Sequence, residues 1–267
     1  RYAVERKRAD ENARRLREVE LRQAESARLE RGLLPQPLMD TERVRLHAFY
    51  RPGRRRGLIG GDFYDVVQTA DDRLNLIVGD VCGHGVEEAA LGVELRVAWR
   101  ALVLAGVPDD AVLPAVEQVL MSERKADEIF ATAATVQLDL SRWRATVRLA
   151  GHPPPLVLTG GRAAPVSAPS GRLLGIAPKP APPFDVELKP GDWSLLMYTD
   201  GLIEGRSGSG EDRLDVEGLC ALVSEPDART AGMSELPAWL VGRAETANGG
   251  PLPDDVAMLL LTTGSGR

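Results

Sequence analysis

Between residues 44 and 51 apolar and polar positions alternate, the period of a strand with one buried face. After the loop Arg51-Pro52-Gly53-Arg54-Arg55-Arg56-Gly57, apolar runs at 63–68 and 74–81 read as two more strands, with Asp71-Asp72 as a hairpin turn between them. The period then lengthens. Val86, Ala90, Val93, Val97, Ala101 and Leu104 recur at helical spacing, which predicts a helix over 86–105 packed on a sheet through that stripe. A second helix is expected over 109–121, with Asp109 as its N-cap. Strands return at 131–140, 145–150 and 156–159, with Ser141-Arg142-Trp143 as a turn. Residues 151–191 are crowded with Pro and Gly and are expected to form loop and short edge strand. A buried strand at 193–198, a Gly/Ser loop at 207–212, helices near 216–223 and 234–247, and a last strand at 256–261 complete the chain. Strands in long antiparallel groups with helices interposed in pairs predict an α+β sandwich, helices covering two stacked sheets.

Residues 1–34 follow neither period strongly. They are rich in Arg, Glu and Ala and free of Pro, with Gly only at Gly32, the composition of a long exposed helix that Pro35-Gln36-Pro37 ends. Ala13, Leu16, Val19 or Glu20, Ala24, Ala27 and Leu34 approximate a heptad seam with few large side chains. A solvated linker helix and a dimerising signalling helix, coiled-coil in form, are equal readings, so a homodimer stays open. The expected division is therefore a linker helix at 1–34 and one large domain at 35–267. Because the first residue is Arg1 and not Met, an upstream part is expected.

Composition narrows the classes. With 43% hydrophobic residues the chain can bury a substantial core, yet its longest apolar runs fall well short of the roughly 20 residues that span a bilayer. No membrane contact is expected in this sequence. Cys82 and Cys220 are the only cysteines and stand in unlike contexts, which argues against a disulfide or a thiolate zinc site and for a reducing, cytoplasmic setting. Residues 1–34 hold ten Arg and Lys against seven Asp and Glu, so the rest of the chain is more acidic than the formal net charge of −6. An acidic body argues against nucleic-acid binding and suits a protein that concentrates cations.

Four short stretches carry the candidate chemistry: Gly60-Gly61-Asp62-Phe63-Tyr64-Asp65, Gly79-Asp80-Val81-Cys82-Gly83-His84-Gly85, Tyr198-Thr199-Asp200-Gly201 and Pro253-Asp254-Asp255-Val256. Each places an Asp at the end of an expected strand. A single Asp-Gly pair is an ordinary turn. Four carboxylates delivered by strand ends far apart in sequence are what hard divalent cations need, because Mg²⁺ and Mn²⁺ take oxygen ligands. With the usual hairpin register, Asp62 and Asp80 would lie at the same end of adjacent antiparallel strands.

Together with Ala150-Gly151-His152-Pro153-Pro154-Pro155, these stretches, in this order, resemble the motif set of the bacterial SpoIIE/RsbU-type serine phosphatases, metal-dependent protein phosphatases of type 2C. The resemblance covers roughly residues 30–263. It implies a four-layer α-β-β-α sandwich of two antiparallel sheets flanked by helices, with two Mn²⁺ or Mg²⁺ ions at one edge. It also implies Asp62, Asp80, Asp200 and Asp254 as carboxylate ligands, the Val81 carbonyl as another, and Asp255 in place of Asp254 if the last stretch is shifted by one residue. Two such ions can hold a bridging hydroxide and neutralise charge on a phosphoryl group, so no protein nucleophile is required. The implied substrate is a phosphoserine or phosphothreonine on a small protein like an anti-anti-sigma factor, and the linker helix would join an upstream sensor domain.

Other residues carry less. His84 and His152 are expected to hold Gly-rich turns through ring hydrogen bonds. Cys82 stands where many relatives carry Ser and is either an inert thiol or an oxidisable one beside the site. Arg54, Arg55 and Arg56 could clamp a substrate phosphate or form a solvated turn. Two alternatives of other classes remain: a phosphatase fold that serves as a binding module, and, from Gly60-Gly61-Asp62-Phe63, a GTP-using diguanylate cyclase. The cyclase signature lacks its Glu here, and that fold has no place for the later stretches.

Overall fold

The structure is a computed structural model describing residues 33–53, 60–83, 85–176, 181–208, 210 and 212–263, together with Arg17. The expected N-terminal helix, the three arginines at 54–56 and His84 lie outside the described residues.

Among the described residues eleven strands form two stacked sheets. The first sheet is built on the hairpin β2 (Phe63–Ala70) and β3 (Arg73–Val81), followed by β4 (Ala131–Asp139), β5 (Arg144–Ala150) and β8 (Ser170–Gly171), with β9 (Phe184–Glu187) also paired to β5. The second runs β1 (Val44–Arg51), β11 (Val256–Thr263), β10 (Trp193–Tyr198), β6 (Leu156–Thr159), β7 (Arg162–Pro165). All pairings are antiparallel except the two-residue pairing of β5 with β8, a small departure from the expected pair of antiparallel sheets. That exception falls in the Pro/Gly-rich stretch, where the chain returns to the sheet through a long loop.

The central strands carry apolar side chains on both faces, which makes them continuous hydrophobic runs. Leu74, Leu76 and Val78 of β3 meet Leu195 and Met197 of β10 and Leu259 and Leu261 of β11 between the sheets. The opposite faces are covered by helices. α1 (Val86–Leu104) and α2 (Asp109–Glu123) pack on Val67, Ile77 and Val81. α3 (Asp215–Val223), α4 (Pro226–Thr230) and α5 (Leu236–Asn248) lie on Leu196, Tyr198, Met258 and Leu260. Two helical and two sheet layers result, the expected α-β-β-α order. Among the described residues no helix is long and apolar enough to cross a membrane.

Two local expectations are corrected. α1 is present but turned: it buries Leu91, Gly92, Leu95, Trp99 and Val103, while Val86, Val97 and Leu104 of the expected stripe are 68%, 50% and 57% exposed. Both stripes have helical period, and the one carrying Trp and two Leu removes more apolar area from water, so it faces the sheet. Asp109 is the first residue of α2 and not its cap, because Pro108 precedes it in extended conformation. The Asp109 carboxylate instead accepts a hydrogen bond from Arg148 Nε at 2.7 Å.

Candidate metal centre

The β2–β3 register pairs Phe63 with Gly79, so Asp62, one residue before β2, faces Asp80 near the end of β3. The second sheet delivers Asp200 to the same edge, where β10 ends and a 3-10 turn, Asp200–Leu202, begins. One carboxylate oxygen from each of Asp62, Asp80 and Asp200 lies within 4.8 Å of the others. Two glycines permit this approach. A Cβ on Gly61 would collide with the Val81 carbonyl oxygen and press on Asp80 Oδ1, and one on Gly201 would collide with the Asp255 carbonyl oxygen. The Val81 carbonyl therefore stands beside Asp80 at the cluster.

Asp254 and Asp255 flank the cluster from the lead-in to β11. Asp254 Oδ1 accepts the Asp255 N–H at 2.9 Å, and Asp255 Oδ1 accepts the Gly53 N–H at 2.7 Å. Asp255 thus ties the end of β1 to the start of β11, while its charge still reaches Asp62 and Asp80.

The electrostatics are those of a site built for cations. Burial, and then repulsion from Asp80, push the Asp62 carboxyl well above the usual carboxylate range. Asp80 is pushed up to about 8, by burial first and then by Asp200. Asp200 is pushed up to about 6, by burial and then by Glu204 and Asp254. Among the described residues no Lys or Arg pairs with any of the three. Asp65, three residues beyond Asp62, is the internal contrast: it is fully buried, yet Arg100 grips it through Nε at 2.7 Å and Nη2 at 2.5 Å, with Arg96 Nη1 at 3.5 Å. A buried carboxylate needs such compensation. Asp65 has it from arginine, whereas Asp62, Asp80 and Asp200 have no cationic partner among the described residues. Three crowded carboxylates are an all-oxygen donor set, which fits Mg²⁺ or Mn²⁺.

Histidine and threonine join the two sheets behind this edge. His152 is buried, with Nδ1 2.7 Å from Thr132 Oγ1 and Nε2 3.0 Å from the Tyr198 carbonyl oxygen. A carbonyl only accepts, so Nε2 carries the proton and Nδ1 accepts from the threonine. Thr132 is the cross-strand partner of Asp80, and Tyr198 precedes Asp200 by two residues. His152 is thus a bridge under the cluster, the structural role expected of it.

The comparisons with known proteins agree with this architecture. The family model of Stage II sporulation protein E (SpoIIE) matches residues 70–264. The chain belongs to the SpoIIE family. Phosphoserine phosphatase RsbP of Bacillus subtilis (strain 168) is 26% identical over 198 residues, which are 70% of this chain and 45% of RsbP. The RsbU and RsbW domains of Rv1364c from Mycobacterium tuberculosis align at 31% identity and a TM-score of 0.70, covering 84% of this chain and 61% of that one. The SiaA-PP2C domain of Pseudomonas aeruginosa shares the fold at 21% identity, with a TM-score of 0.72 over 93% of this chain and 98% of its own. The chain spans less than half the length of the curated relatives it matches.

In this SpoIIE-family domain two contributors escaped the sequence reading. Thr199, buried between Tyr198 and Asp200, donates its hydroxyl proton to Asp62 Oδ2 at 2.7 Å and accepts the Ala257 N–H at 2.9 Å. Its only signal was a β-branched hydroxyl residue directly before a candidate ligand. The Asp65–Arg100 pair leaves no local signal, because charged residues at the spacing of Arg96 and Arg100 fit a solvated helix face whether or not they reach a buried carboxylate. Cys82 takes up a local role: its Sγ accepts the Phe130 N–H at 3.2 Å.

Proposed function

We propose that this domain is a metal-dependent protein serine/threonine phosphatase that hydrolyses phosphoserine or phosphothreonine on a small regulatory protein of the anti-anti-sigma-factor type. The observation that carries it is the trio Asp62, Asp80 and Asp200 at one sheet edge, Asp62 buried and the other two half-buried, with no cationic side chain among the described residues to balance it. These three would hold Mn²⁺ or Mg²⁺, two ions in all, joined by the Val81 carbonyl and by Asp254 or Asp255. When bound, such ions neutralise charge on a phosphoryl group and activate a water for in-line attack. The chain supplies the rest: Gly61 and Gly201 keep the walls close, Thr199 holds Asp62 in place, and His152 ties the two sheets beneath. Membership of a family with a phosphoserine phosphatase among its relatives supports the reaction class. The pairing of RsbU with RsbW domains in one relative supports a substrate from a sigma-regulatory circuit.

Residues 1–34 would act as a linker helix from an upstream sensor. Support comes from the described end of that segment, where Arg96 Nη2 donates to the Leu33 carbonyl at 3.4 Å and Arg100 Nη2 to the Gln36 carbonyl at 2.9 Å. The chain entering the domain is thereby held to α1.

The test is phosphate release from a phosphoserine protein of the anti-anti-sigma type, with Mn²⁺ or with EDTA, for the wild type, Asp80→Asn and Asp200→Asn. Release that needs the ion and falls by more than about a hundredfold in both variants supports the reading, since even outer-shell partners cost about ten- to a hundredfold. Release that persists in EDTA or in either variant refutes it.

A further inference from the structure

At the end of the second sheet away from the carboxylates, the fold forms a cavity of about 560 Å³ that is open to solvent on one side, a size typical of small-ligand sites. It lies between that sheet and α3, α4 and the start of α5. β10 leads from this cavity at Ser194 to the metal edge at Asp200, and β11 returns from Asp254 to the cavity at Thr262.

On their helix-facing side the two strands change character where the cavity opens. β10 presents Tyr198 and Leu196 to the helices and then Ser194; β11 presents Met258 and Leu260 and then Thr262. Ser194 and Thr262 are direct cross-strand partners. Two hydroxyls therefore stand side by side on the cavity floor, on residues only 8% and 5% exposed. The Ser194 hydroxyl reaches nothing better than Met233 Sδ at 3.8 Å, a weak acceptor. A hydroxyl pair in an apolar wall offers a ligand's polar group a hydrogen-bonding partner that the surrounding side chains do not.

The walls are apolar, formed by Leu158, Val223, Ala228, Met233 and Leu236. A cation completes the lining. Arg229 of α4 lies against the turn at Gly161, and no described carboxylate pairs with it. Asp192 also lines the cavity; it and Arg229 are both exposed, so solvent and salt screen both charges, and the arginine is the one whose planar fork matches a carboxylate.

We propose that this cavity binds a small amphipathic carboxylate: Arg229 takes the carboxylate, the apolar walls take its body, and the Ser194–Thr262 hydroxyl pair meets a polar group at its far end. The assignment does not depend on the phosphatase reading, because binding is read without turnover.

4-Hydroxybenzoate has this shape and is the probe, with benzoate and phenol as partial matches. Binding to the full chain is measured by calorimetry and by the rise in unfolding midpoint that a native-state ligand produces. Saturable binding of 4-hydroxybenzoate, tighter than either partial match, is expected. Arg229→Gln should weaken it about tenfold, the usual scale of a charged hydrogen bond, and erase its advantage over phenol. Thr262→Val, nearly isosteric, should erase its advantage over benzoate. Asp192→Asn should leave binding unchanged or tighten it. The proposal is overturned if no saturable binding appears, if neither Arg229→Gln nor Thr262→Val alters it, or if Asp192→Asn weakens it, which would mean that the head group is an ammonium.

Discussion

Thr199 and Asp62 are 137 residues apart and belong to different sheets, yet the threonine hydroxyl donates to the carboxylate at 2.7 Å with both residues buried. The same hydroxyl accepts the Ala257 N–H, so one side chain couples the start of β2 to the ends of β10 and β11. Its bond to Asp62 pulls that carboxyl back toward its ionised form, against burial and the neighbouring carboxylates.

Thr199→Val keeps the shape and removes both bonds. The variant should lose about 1–3 kcal/mol in urea unfolding, because the Ala257 N–H and a carboxylate oxygen are left unsatisfied. It should also need more Mn²⁺ for half-maximal phosphate release, since a carboxyl that ionises less readily binds a cation more weakly. Unchanged Mn²⁺ dependence would reduce Thr199 to a purely structural link.

The carboxylate cluster sets a second expectation. In the fold Asp80 titrates at about 8 and Asp200 at about 6, against 3.8 for a free carboxyl. A raised folded pKa means that the native state holds more protons than the unfolded chain. Stability from these groups is therefore fully present below about 3.8 and is lost as pH rises from there to about 6 for Asp200 and about 8 for Asp80. A bound cation competes with those protons, so ion stabilisation should grow over the same window. Thermal unfolding with EDTA or with Mn²⁺ checks this near pH 6 and pH 8. At an ion concentration a hundred times Kd the gain is about 2.7 kcal/mol. A gap between the two conditions that does not widen at the higher pH would place the ion elsewhere.

Strand order around the site was legible because both sheets are sealed on both faces, which turns their strands into apolar runs ending at Asp or Gly. Thus β6 and β10 have the expected bounds, β1 has them through its alternation instead, and Asp62 and Asp80 fall opposite each other as the hairpin implied. The face of α1 was not legible. Two stripes of equal period compete on that helix, and the choice depends on the shape of the sheet beneath and on Gly92 fitting against the Gly61 carbonyl. Thr199 and His152 act through hydrogen bonds to partners far away in sequence, which periodicity cannot register. Whether Asp254 or Asp255 completes the site depends on backbone turns of a single residue's length.

A third prediction concerns the buried pair behind the site. Asp65 has no exposure, and Arg100 supplies its two shortest contacts while also holding the Gln36 carbonyl. Arg100→Gln leaves a buried charge half compensated by Arg96 alone and should cost about 3–5 kcal/mol. Adding Asp65→Asn removes that charge, so the double variant should be more stable than Arg100→Gln by itself. Purely additive losses would show that the two residues do not compensate each other. The same single variant frees the chain at Gln36, so proteolysis near residues 33–37 should quicken relative to the wild type.

The last prediction concerns His152. Burial lowers its pKa from 6.5 to about 4, with the bond to the Tyr198 carbonyl working weakly the other way. The neutral ring is the form that fits, because Nδ1 must accept from Thr132 while Nε2–H donates to Tyr198. Between these two pKa values the unfolded chain takes up a proton that the native state refuses. His152 should therefore destabilise the fold progressively as pH falls from about 6.5 to about 4, by up to roughly 3 kcal/mol, and no further below that. The carboxylate cluster shifts stability the opposite way over this range, so the wild type alone cannot isolate the effect. Subtracting the urea-unfolding profile of His152→Gln, measured in EDTA across the same range, isolates it, because both proteins keep the same carboxylates. The wild-type advantage over His152→Gln should shrink as pH falls through that window. A constant difference would mean that the ring is protonated in the native state as readily as in the unfolded chain, and the bridge between Thr132 and Tyr198 would have to be redrawn.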